Sequence, residues 1–454
     1  MRSYDILPTE ENLIQALKDN ILDRNKDIEC FYDLLMAQEA ACSIAIDGRW
    51  GSGKTFFVKQ TILAINAMNP RSQMEDNKRR DIKSRLLLSE ASQENYDLAV
   101  YFDAWENDND TDPALSLIYE ITKQLSLEYE FEEKSFIDTM AYIAEVISAR
   151  NVSGLLNNLR GEDPIELFKR QKKLGEKIEQ FFSEILIERG ERLIVFIDEL
   201  DRCKPTFAVR LLEQIKHYLC DERITFVFSV NVKELQHTVK QYYGYDFDAC
   251  RYLDRFFELR IALPQANKSK YYDKIGLSTG YVIENVALRI IDMYNFELRS
   301  ISRFYRQLKT AVYNPTHRDG GYDFSFQDGK ARRFMLMYIV PLVKGLEIVD
   351  MVLHDDFVNG KNEKPLLELF DTDDFGGWHL SVLLMNNESL SDEKGKTKAS
   401  KEELLKKVYS AIFINKYSGR NYSEIIGQCE FDANSKGFVI STASMLSKYA
   451  DYSI

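Results

Sequence analysis

Gly48-Arg49-Trp50-Gly51-Ser52-Gly53-Lys54-Thr55 reads G-x-x-x-x-G-K-T, the pattern of a loop that wraps phosphate groups. Before it, residues 42–47 (CSIAID) form a short, mostly apolar run suited to a buried strand. After it, FFVKQTILAINAM, which starts at Phe56, carries apolar residues at helical spacing. Strand, glycine loop and helix thus follow in the order the pattern requires. Three glycines let the backbone curl and turn its N–H groups inward. A helix beginning near Gly53 adds the positive end of its dipole. Residues Gly48, Arg49, Trp50, Gly51, Ser52, Gly53, Lys54, Thr55 and Phe56 are therefore expected to bind a nucleotide. In that reading Lys54 reaches the β- and γ-phosphates, and the Thr55 hydroxyl ligates Mg2+.

A P-loop needs an acidic partner at the end of another strand. ERLIVFIDELDRC (191–203) supplies five apolar residues that end in Asp198-Glu199. Asp198 is expected to hold the Mg2+ shell, and Glu199 to orient and polarise the attacking water. Arg202, just beyond, either reaches a neighbouring subunit's γ-phosphate or pairs with Asp201. RITFVFSVN (223–231) is a further buried strand, and the amide of Asn231 at its end is placed to sense the γ-phosphate or the water.

Two segments leave alternatives open. YDLAVYFDAWEND (96–108) is a strand with an acidic end. Carboxyl ends of parallel strands face the ligand crevice, so Asp103 or Glu106 either approaches the metal or serves as a cap, with Asp112 as N-cap of a helix from Pro113. YDFDACRYLDRFFELRIALP (245–264) ends in a short strand. There Arg251 and Arg255 are phosphate contacts or surface ion pairs. Arg255 leads as the arginine that offsets transition-state charge, in cis or from a neighbour. Two basic features have the same ambiguity: the cluster Lys78-Arg79-Arg80, and Arg299 and Arg303 on a later helix.

Taken in order, DGRWGSGKT, YFDAWEND, LIVFIDELDR, VFSVN and YLDRFFELRIALP resemble the KAP family of P-loop NTPases, over roughly residues 10–310. The F-x-A-W segment and the D-E-L-D-R form of the acidic motif are more specific than the glycine loop alone. The resemblance implies an additional-strand P-loop fold, with Lys54 and Thr55 at the phosphates and Mg2+, Asp198 and Glu199 as the acidic pair, and Phe102–Trp105 as a family element. It implies ATP rather than GTP, and no N-K-x-D segment stands where guanine would be read. Many relatives carry transmembrane helices inserted in the domain, whereas the insertion here, over 122–190, is polar. Where relatives often have an acidic residue after the fourth strand, this chain has Asn231. Phage-exclusion proteins among bacterial relatives make antiviral defence an implied role.

The rest of the chain sets bounds. At 454 residues with net charge −13, two or three domains are expected. Broad charge-driven nucleic-acid binding is disfavoured. Six cysteines are scattered without a C-x-x-C pair, and five histidines show no metal-ligand spacing. Free thiols and no structural zinc follow. The N-terminus lacks a signal-peptide core, and the apolar run near Phe334–Val343 is too short to span a bilayer. A cytoplasmic protein without membrane contact is expected. The fold expected is an α/β P-loop NTPase core with a mostly parallel sheet over 1–270, a helical insertion at about 113–190, and a mainly helical C-terminal region over 271–454. The activity expected is Mg2+-dependent ATP hydrolysis by a nucleotide-driven switch or assembly ATPase, acting as a homo-oligomer or with a separate effector protein. A slow-turnover scaffold and a nucleic-acid-dependent motor stand as alternatives.

Overall fold

Five short apolar runs form one sheet in a computed structural model of the chain, which describes residues 7–38, 40–86, 96–125, 164–218, 221–312, 329–371, 394–418 and 422–444. The strands are β1 Ser43–Asp47, β2 Asp97–Asp103, β3 Arg192–Asp198, β4 Ile224–Val230 and β5 Leu259–Ala262, in the order β2-β3-β4-β1-β5. All pairings are parallel, and the register sets Asp103 against Asp198, Asp198 against Ser229, and Asp47 against both Val230 and Ala262. The strands therefore finish nearly level, and the residues that follow them emerge along one edge.

Alternation along each strand sends side chains to two cores. Leu193, Val195 and Ile197 of β3 enter one with Phe226 and Phe228 of β4, while Ile194 and Phe196 enter the other with Ile44 and Ile46 of β1. Both faces are covered, so β3 and β4 read as unbroken apolar runs rather than alternating ones. On the second face lie α1 Glu10–Asp19, α2 Asn25–Met36, α3 Lys54–Met68 and α4 Asp76–Lys83. The first is covered by α5 Pro113–Gln124, the end of α6 Pro164–Arg189, α7 Pro205–Tyr218, α8 Val232–Tyr243 and α9 Ala249–Leu253. Asp112 does cap α5: its Oδ1 accepts from the Ala114 and Leu115 amides at 3.0 and 3.3 Å. Residues 126–163 of the expected insertion lie outside the described residues.

The outer edge of β2 is closed by side-chain amides. Asn66 of α3 donates to the Ala99 carbonyl at 2.9 Å and accepts from its N–H at 3.0 Å. Gln124 of α5 accepts from the Tyr101 N–H at 2.9 Å and donates to the Tyr101 carbonyl. Each amide replaces one rung of a missing strand, which blocks pairing with another chain. The basic cluster on α4 is structural too. Arg79 donates to the carbonyls of Ala67 and Asn69 at the end of α3, and Lys78 pairs with Glu10.

The chain divides into two compact units, Ile6–Lys268 with the five-stranded sheet, and one from Ser269 onward. The second is helical as expected, but it also holds an antiparallel hairpin, Ser423–Ile426 with Cys429–Asp432. Its signal is short: a two-residue turn that opens on Gly427 at φ +62°, the conformation hairpin loops require. The apolar run near Phe334–Val343 is buried core in this unit, and a π-helical turn, Met335–Ile339, precedes Pro341. Among the described residues no helix is long and apolar enough to cross a membrane. Cys42, Cys203 and Cys429 are buried, while Cys30 and Cys250 are exposed.

Because Ala99 is buried, Asn66→Ala strands both of its backbone groups. We expect a loss of about 1–3 kcal/mol, readable as a lowered urea midpoint. An unchanged midpoint would mean that the edge needs no closure.

Candidate functional site

Gly48 follows β1 directly, and its N–H donates to the Val230 carbonyl at 3.1 Å. Gly51 and Gly53 sit at φ +83° and +90°, where L side chains are rarely tolerated. A Cβ on Gly48 would lie 3.0 Å from Ser52 Oγ and 3.3 Å from the Lys54 side chain. Lys54 opens α3 and is buried, its Nζ donating to the carbonyls of Gly48 at 2.6 Å and Arg49 at 3.2 Å. Burial lowers its pKa, and the nearby Asp201, Asp198 and Glu199 oppose that shift. Buried Arg24 braces the loop from behind, donating to the Gly53 and Pro264 carbonyls at 3.5 and 2.8 Å.

Asp198 ends β3 and is 1% exposed. Its Oδ2 accepts from Thr55 Oγ1 at 2.7 Å and from the Tyr101 hydroxyl at 3.2 Å, and its Oδ1 accepts from the Glu199 N–H at 3.0 Å. The two motifs read from sequence, 143 residues apart, thus meet in one hydrogen bond. Burial, then the charge of Asp198, raises the Tyr101 pKa, so the hydroxyl stays a donor. Sequence reading did not single out Tyr101. The signal was a polar-tipped aromatic two residues before the strand's last acid.

Glu199 takes a left-handed conformation, φ +61°, uncommon without glycine. Burial first, then the charge of Asp198, pushes its pKa up to about 7, against the pull of Arg202. Arg202 Nε lies 2.5 Å from Glu199 Oε2, so its partner within the chain is Glu199 and not Asp201. Asp201 instead accepts from the Trp50 indole N–H at 2.5 Å. The Arg202 guanidinium lies 5.7 Å from the Trp50 ring and 5.5 Å from that of Trp105.

Other candidates fall elsewhere. Asp103 Oδ1 accepts from the N–H groups of Trp105 and Glu106 at 3.1 and 3.0 Å, so it caps the turn after β2, and Glu106 is exposed. Asn231 stands at the site's edge, but its side-chain oxygen caps α8, accepting from the Glu234 N–H at 3.4 Å. Phe56 is half-buried in the first turn of α3. Arg255 precedes β5 and lines a cavity of about 290 Å³ with Cys42 and Ser43. It is thus at the opposite end of the sheet from its own loop, one strand length away. Arg299 and Arg303 belong to the second unit.

The residues fit a nucleotide with a divalent cation. Ser52 Oγ is a buried oxygen without a hydrogen-bond partner, inside a loop too tight for a Cβ at Gly48. Beside it stand a buried ammonium and a hydroxyl–carboxylate pair of hard oxygen donors, the set a small divalent cation takes. A parallel sheet with β4 between the loop strand and the Asp198 strand defines an additional-strand P-loop domain. Residues 24–313 match the model of the KAP family P-loop domain, and the chain belongs to that family. The match runs past Lys268 into the second unit. No curated protein matches the chain.

Removing the Lys54 ammonium leaves phosphate charge unopposed in a buried loop. Lys54→Ala is expected to abolish nucleotide binding by calorimetry, and unchanged affinity would dismiss the loop as the site.

Proposed function

We propose that this protein hydrolyses ATP with Mg2+ and works as a nucleotide-driven switch or assembly ATPase. The observation that carries the reading is the Thr55–Asp198 hydrogen bond, which joins loop hydroxyl and strand-end acid at one point. Thr55 and Asp198 would hold the cation. When bound, magnesium would offset the negative charge of the phosphates. Lys54 and the loop amides hold the phosphates by charge and N–H donation. Glu199, its pKa pushed up to about 7 with burial as the first cause, takes a proton from the attacking water. Tyr101 keeps Asp198 aimed.

Arg255 serves a neighbour rather than its own site in this reading, because it is exposed and follows the sheet's far end. That supports a homo-oligomer in which hydrolysis depends on assembly; a separate effector protein and a role in antiviral defence extend the same proposal from the family. The net charge of −13 weighs against the nucleic-acid motor.

Glu199→Gln keeps shape and removes the base. ATP should still bind, while turnover falls by roughly 10²–10⁴-fold; a mutant at wild-type rate would move the base elsewhere. For the oligomer, activity per subunit should rise with protein concentration and Arg255→Ala should bind ATP yet turn over slowly. Flat specific activity from a monomer, with Arg255→Ala near wild type, would remove the neighbour's arginine. Stimulation by added DNA or RNA would favour the motor.

A further inference from the structure

We propose that Arg202 is the positioning residue that orients Glu199, and that Trp50 and Trp105 hold Arg202 in place from the phosphate loop and the turn after β2. The inference rests on the hydrolytic reading above and deepens it. Leu200–Arg202 form a single 3₁₀ turn, with the Arg202 N–H bonded to the Glu199 carbonyl at 3.1 Å. The left-handed Glu199 begins that turn, and across it the guanidinium meets the carboxylate, Nε to Oε2 at 2.5 Å. One carboxylate oxygen is thereby fixed. This is the logic of a base oriented by a third group.

The arginine is itself fixed. Its guanidinium lies within 6 Å of two indole centroids, at 5.7 Å from Trp50 and 5.5 Å from Trp105, inside the range of a cation–π contact. Trp50 is anchored in turn, because its indole N–H bonds Asp201 on the same 3₁₀ turn. Both indoles are about half exposed, at 45% and 53%. Three connections that end at the strands' carboxyl edge therefore share one cluster. A displacement of the loop at Trp50 passes through Arg202 to the base. A lysine would keep the charge but lose the planar face that lies over an indole.

Two measurements decide it. In the first, Arg202→Met is expected to lower kcat by at least roughly tenfold with KM little changed, the signature of a loss confined to the transition state. Affinity for Mg-ADP by calorimetry should stay within about threefold of wild type, and Arg202→Lys should recover only part of kcat. In the second, emission is read in a Trp378→Phe background, which leaves Trp50 and Trp105 as the only tryptophans. Glu199→Gln releases Arg202 and should shift that emission; Arg202→Met should shift it too, and the double variant should add nothing further. If Arg202→Met does not fold, Trp105→Leu loosens the same clamp from its exposed side and should lower kcat a few-fold. Wild-type kcat in Arg202→Met, or unchanged emission in Glu199→Gln, would overturn the proposal. Loss of Mg-ADP binding equal to that in Lys54→Ala would overturn it as well, making Arg202 a phosphate ligand. If the wild type fails to turn over ATP, the hydrolytic reading falls, and the emission arm still decides whether Arg202 holds Glu199.

Discussion

The Asp198 carboxyl is almost wholly shielded from water and takes donors from three places: Thr55 in the phosphate loop, Tyr101 on the edge strand and the Glu199 backbone. A buried carboxylate is tolerated when its oxygens are satisfied in this way. Meeting that requirement constrains much else. Thr55 must enter α3 at its first turn, which requires the positive-φ glycines before it. Tyr101 must reach the site from β2, two strand positions beyond β4 on the other side of β3. The level register of the strand ends makes those reaches short.

Sheet order explains how the acid and the loop meet without being neighbours. β4 lies between β1 and β3, so Asp198 approaches Thr55 across an intervening strand. That order places the phosphate loop and the acidic strand end on either side of β4. It also sets the end of β4, with Asn231, at the rim, where its side chain caps a helix. The outermost strand, β2, would otherwise present open backbone to solvent. Asn66 and Gln124 close it from α3 and α5, and α3 is the helix that carries Lys54 and Thr55. Edge protection and phosphate loop therefore share one rigid element.

Around Glu199 the charges are arranged as a gradient. Asp198 and burial raise its pKa, while Arg202 and Lys54 oppose them. The groups that set it lie at strand ends, in the turn after β3 or in the loop. The left-handed backbone of Glu199 is a local strain of the kind often kept at working sites. The indoles of Trp50 and Trp105 add no charge, but they fix where the positive charge of Arg202 lies.

The sequence by itself determined the chemistry-bearing stretches and their elements. Glycine spacing and the following helical pattern specify the loop around Lys54, and an apolar run ending in two acids specifies Asp198 and Glu199, because those features are local. It also carried Asp112 as a cap, since capping is decided within one turn. What local pattern leaves undetermined is which strand lies beside which, and only the tertiary structure decided that. Parallel strand direction set Arg255, which precedes β5, at the far end, and sheet order brought Tyr101 to Asp198. The partner of Arg202 was decided by the fold as well: Glu199 takes its guanidinium, while the adjacent Asp201 accepts from the Trp50 indole of the phosphate loop. Asp103 read equally as metal ligand or cap, and the choice went to two amides 3.0–3.1 Å away, a distance that no spacing in the chain encodes.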